Sequence, residues 1–209
     1  MLAAGSAIAG VITGLGVPSS ASEATHVADP PTTGAPTYVS PDALPKGPRF
    51  GTWDAGDVTA GLPARAPFCL DGVFDAQRTG YRTYSANSKV GADEFVSVLP
   101  TGADANTLEA RLQTQLESCY KGWLAQDIPA YRNAHRSASW AKYSGTGNPT
   151  VYGVFTVPPS GFDHATHLYA VGRRGATVMV LHMVVVGDRT NAPVDVFRTS
   201  AEAALTAMY

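Results

Sequence analysis

Between Tyr81 and Tyr209 the apolar side chains follow two rhythms. A step of two marks Tyr81–Ser85 and Glu94–Leu99, where Phe95, Ser97 and Leu99 share one face and Val96 and Val98 the other. Asn87, Ser88 and Lys89 supply the turn between these two predicted strands. A step of three or four takes over after Pro100: Leu108, Leu112, Leu116, Cys119 and Trp123 form a single stripe, which predicts a helix over 103–123. Thr101 and Asp104 suit its start, and Gly122 and then Pro129 are expected to stop it.

Alternation returns in Ala134–Tyr143, Val151–Val157, Thr166–Val171 and Ala176–Val186. The run Val178–Val186 is apolar on both faces, which predicts a central strand covered on both sides. Asn191 and Pro193 open a second helix with Val194, Phe197, Ala201, Leu205 and Met208 on its inner stripe. The element order is therefore β-β-α-β-β-β-β-α. It predicts an α+β fold, an antiparallel sheet of about six strands with two main helices on one face. Residues 53–75 carry only scattered apolar anchors and read as an irregular wrap with one short helix.

The ends look different. Residues 1–21 hold an uncharged apolar run, Ala7–Leu15, followed by Pro18 and small residues, as in a signal peptide. No Lys or Arg precedes Lys46, so the basic n-region is missing and the true start is expected upstream. Residues 22–49 hold six prolines and no periodicity, and read as a linker or disordered tail. A single domain is expected over 50–209.

Composition narrows the function classes. A hydrophobic share of 44% is ordinary for a globular chain, and 21 Gly with 15 Pro imply many turns. The net charge of −2 comes from scattered residues, so the basic stripe that nucleic acid requires is missing. The leader-like run is short and rich in Gly and Ala, so no stable membrane insertion is expected after export. The two cysteines, Cys69 and Cys119, most simply form one disulfide in an exported chain; the alternative is two unrelated free thiols. No cofactor is expected, and with only two cysteines a zinc site would need His or carboxylate help.

The densest polar chemistry is Asp163, His164 and His167. On a helix the two imidazoles would reach one metal; in a loop entering a strand, residues three apart face opposite sides, and no metal site is expected. His182 lies in the apolar strand as a general base or a buried, hydrogen-bonded imidazole. His135 alternates with Ser137 and Ser139, as the polar wall of a pocket or the wet face of a sheet. There is neither a G-x-S-x-G elbow nor an S-x-x-K helix start, although a triad assembled in space leaves no such trace. Arg173 and Arg174, at a hairpin tip, offer an anion grip. Trp140, Tyr143 and Tyr152 offer the aromatic wall of a ligand groove, with Tyr143 and Tyr152 pairing across their turn.

Phe68-Cys69, the strand ending Val96-Ser-Val-Leu-Pro100, the Ala-rich helix with its own Cys119, the Tyr152–Phe155 strand and the closing helix together resemble exported actinobacterial sensor-like domains. The family is that of the extracellular sensor domains of PknH-type receptor serine/threonine kinases. The resemblance covers roughly residues 60–209. It implies a sheet with helices around a cleft and a free-standing, secreted, non-enzymatic module that binds a small molecule or envelope component. The family carries two disulfides where this chain forms at most one, and the resemblance transfers no ligand residues. The alternatives from the residues are a small secreted hydrolase or isomerase using a His and a carboxylate, and a secreted inhibitor or envelope interaction protein.

Overall fold

In the computed structural model, which describes residues 34–87, 89–129, 135–143 and 147–209, the alternating segments pair into one open antiparallel sheet. Its long strands are β3 (Thr79–Asn87), β4 (Val90–Val98), β6 (Thr150–Val157), β7 (Ala165–Arg174) and β8 (Thr177–Val186). One edge is β5 (Ser137–Tyr143); along the other, the two-residue strands β1 (Asp54–Ala55) and β2 (Thr59–Ala60) both pair with β3. The order is β1-β3-β4-β8-β7-β6-β5. The fold is α+β, as the pattern predicts. The two extra strands are too short to leave a period-two signal.

Helix α1 (Gly102–Ala125) carries the chain from β4 to the far edge, after which β5 to β8 meander back to pair with β4. The Thr101 hydroxyl accepts from the Asp104 amide at 3.1 Å, which caps the helix start. Gly122 does not stop the helix, which runs on to Ala125; a mid-helix glycine costs only about 1 kcal/mol, and packing of the stripe outweighs it. Helix α2 (Val194–Ala207) follows Pro193 as expected.

The two helices lie on opposite faces, not on one. Leu112 and Leu116 of α1 pack with Tyr152, Val154, Tyr169, Val171, Val178 and Val180. Phe197, Ala201, Ala204 and Met208 of α2 pack with Val151, Leu168, Ala170, Met179, Leu181 and Met183. This arrangement explains the strand that is apolar on both sides: β8 sends even-numbered residues to α1 and odd-numbered ones to α2.

Neither helix reaches across β3 and β4, so irregular chain covers that half of each face. On the α1 face the cover is the wrap through Leu70, Val73 and Phe74, whose Phe74 ring stacks on Phe95 at 5.1 Å. On the α2 face it is residues 38–53, with Val39 at 0% and Leu44 at 3% exposure beside Phe50 and Trp53. The Pro-rich segment is therefore not all outside the core: its second half is a strap, and the packed unit begins ahead of Phe50. Among the described residues of that segment, Val39 and Leu44 are fully buried and Tyr38 partly so, too few and too irregularly spaced to leave a periodic trace.

Glu94 anchors the strap. It points from β4 into the α2 face, fully buried, and Oε2 accepts from the Val39 amide at 2.8 Å and lies 2.9 Å from the Tyr84 hydroxyl. Burial pushes its carboxyl up to about 7, against the pull of the Val39 and Tyr84 hydrogen bonds and of Arg82.

Candidate functional site

Two sites hold the chemistry, both on the α1 side of the sheet. The first is a chain of three side chains on adjacent strands. Asp93 of β4 pairs in register with His182 of β8, and His182 pairs with Tyr169 of β7. Asp93 Oδ2 lies 3.1 Å from His182 Nδ1, and His182 Nε2 lies 3.2 Å from His167 Nδ1. The two imidazoles share one hydrogen bond, whose direction follows the tautomers they hold. The Tyr169 ring stacks on His182 at 4.8 Å, and Phe68 lies against His167 at 4.7 Å. The Tyr169 hydroxyl donates to the Phe68 carbonyl at 2.6 Å, which pins the wrap over the pair.

Electrostatics set what this chain can do. Burial, together with the neighbouring His182, lowers the His167 imidazole to about 3. An imidazole so hard to protonate is a weak base.

The second site is a cleft of about 260 Å³ where the wrap, the base of β3 and β4 and the first turns of α1 meet. Its floor is apolar, from Val73, Phe74, Leu99 and Leu108, with the Thr79 and Ser97 hydroxyls closed on each other at 2.7 Å. Its rim is charged, from Asp75, Arg78, Asp104 and Arg111. The disulfide Cys69–Cys119 joins the wrap to α1, as predicted, and holds the two walls together. Cys69 takes a left-handed φ of 66°, which costs a non-glycine residue roughly 1 kcal/mol.

The sequence candidates fall in scattered places. His167 and His182 meet, while Asp163, His164 and His135 are exposed and make no part of the chain. Among the described residues no group of three metal-ligating side chains converges. Arg173 faces Glu109 of α1 at 3.5 Å, and Arg174 donates to the Tyr209 carbonyl at 3.0 Å, so both hairpin arginines are engaged by the fold. Tyr143 and Tyr152 do not pair: the β5–β6 register puts Tyr143 opposite Val151 on the α2 face, while Tyr152 and Trp140 pack on the α1 face. Asp93, Arg78 and Arg111 were not singled out by sequence. The parity of the β7–β8 hairpin puts His167 and His182 on one face, a usable local signal. Asp93 and the cleft depend on pairings across most of the chain.

No family model matches the chain, and no curated protein matches it. Among solved structures, the extracellular domain of PknH from Mycobacterium tuberculosis is similar in fold, with 10% identity over 81% of this chain and 98% of that one, at a TM-score of 0.45. No residue role is carried over from it. Among the described residues no helix is long and apolar enough to cross a membrane.

Proposed function

We propose that the protein is a secreted, non-enzymatic binding module that holds a small molecule in the cleft between α1 and the base of β3 and β4. The observation that carries this reading is the cleft's construction: an apolar floor, a charged rim and two walls tied by a disulfide. Small-molecule sites combine an apolar lining with a few placed polar groups in this way, and a volume of about 260 Å³ suits a ligand of modest size. The hydrolytic alternative through Asp93, His182 and His167 is less well supported, because its outer imidazole is held neutral under the Phe68 ring.

Native mass spectrometry of protein recovered from its host tests the reading. The wild type should carry a small molecule that Leu108→Trp, which fills the cleft, fails to retain at unchanged melting temperature. A wild type that emerges bare, or a ligand that Leu108→Trp keeps, overturns it.

A further inference from the structure

Neither imidazole of the Asp93–His182–His167 chain lines the cleft. His182 Nε2 and His167 Nδ1 face each other at 3.2 Å, the ring planes differ by 9°, and the ring centroids lie 5.5 Å apart. That separation is the 3.2 Å gap plus the two ring radii, the largest value the gap allows. Both nitrogens therefore lie on the line joining the centroids. The rings are coplanar and head to head, with their in-plane lone-pair axes on one line. The surroundings are apolar. His182 is 3% exposed beneath the Tyr169 ring, and His167 stands in register between Val154 and Val184 with Phe68 against it. The charged group that touches the pair is Asp93, at His182 Nδ1.

We propose that this pair is a two-coordinate site for a soft monovalent cation, Cu(I), held linearly between His182 Nε2 and His167 Nδ1. The site is separate from the cleft and does not depend on it. Metal–nitrogen bonds of about 2 Å put linear partners about 4 Å apart, so the ion enters by parting the rings less than about 1 Å along the axis they already share. His167 is half-buried and offers the way in. The proton that the rings share moves to the far nitrogen of the ring that carried it, so both imidazoles stay neutral. With the ion bound, His182 holds its proton on Nδ1 and donates it to Asp93, as metal-bound imidazoles do to an outer carboxylate. Asp93 also supplies the one negative charge that balances a monovalent ion. Zinc takes four ligands, and among the described residues no third ligating side chain converges with the two facing nitrogens. Imidazole suits copper, and two-fold coordination suits its reduced state. The softer donors lie elsewhere: both cysteines are spent in the disulfide, and Met179 and Met183 pack on the α2 face.

Competition with bicinchoninate for Cu(I), under ascorbate and without oxygen so that the disulfide stays closed, tests the proposal. The full chain should take up one ion. His167→Ala and His182→Ala should each weaken uptake by roughly a hundredfold or more, and Asp93→Asn by about tenfold, the usual effect of losing an outer carboxylate. Changing the exposed His135 and His164 to Ala should leave it unaltered. Excess Zn(II) should not displace the copper, and X-ray absorption should find two nitrogen ligands without a third. A buried His182 variant can fail to fold, so the wild type is also read directly. With Ag(I) as a closed-shell stand-in, nitrogen NMR should show His167 Nδ1 and His182 Nε2 shifting together. No uptake, uptake that survives His167→Ala, displacement by zinc, a third ligand, or silence of the two ring nitrogens overturns the site.

Discussion

Glu94 sits in the core with Oε2 shared between Val39 and Tyr84 and with Oε1 unpartnered. Its carboxyl, raised to about 7, binds a proton in the fold that the unfolded chain releases near 4.5. Its stabilising effect is therefore full below 4.5 and lost as pH rises through about 7, a loss of about 3 kcal/mol at 1.36 kcal/mol per unit. Glu94→Gln keeps an acceptor for the Val39 amide and removes the titration, so denaturant melts should find it the more stable protein at pH 8 but not at pH 5. His167 acts in the opposite sense. Its imidazole, lowered to about 3, resists protonation in the fold, so stability is full above 6.5 and declines as pH falls towards 3. In the Glu94→Gln background this acid slope should be steeper than in the wild type, and adding His167→Gln should reduce it. The hairpin parity that pairs His167 with His182 is a local property of adjacent strands, which a sequence displays. Asp93 and His182 are 89 residues apart, and only closure of β8 on β4 brings them together.

At the scale of elements, α1 was the most legible part of the chain, because five apolar side chains at helical spacing leave few other structures open to it. Its covalent tie was legible too, since two cysteines in a chain expected to be exported have one simple arrangement. Cys119→Ser should cost on the order of 2–5 kcal/mol, measured by urea unfolding, in line with the 50-residue loop the bridge closes. The strap was not legible. Prolines and small residues look the same in a free tail and in an extended segment laid over a sheet, and only the tertiary context distinguishes Val39 and Leu44 from tail residues. A chain beginning at Phe50 should melt well below the full protein, because it exposes the sheet under two buried side chains worth ~1.5–3 kcal/mol each and strips Glu94 of its Val39 donor. An unchanged melting temperature would show that the strap contributes nothing to the fold.

At the scale of the molecule, the sheet is a single plate whose two faces are closed by different chemistry at the β3–β4 end. One cover is bonded through sulfur to α1; the other is held by a carboxylate that titrates near neutrality. Reductant should therefore loosen the cleft side and leave the strap in place, while mild alkali should loosen the strap and leave the cleft intact. The strap side also contains its own means of observation. The Trp53 indole is buried at the strap's end and donates to the Pro45 carbonyl at 2.8 Å, whereas Trp123 and Trp140 belong to the α1 side. With those two replaced by Phe, Trp53 is the one tryptophan left, and its emission maximum, excited at the red edge where tyrosine does not absorb, becomes an optical gauge of docking. A red shift between pH 6 and 8 in the wild type, missing from Glu94→Gln, would follow a hidden proton by the colour of the light it releases.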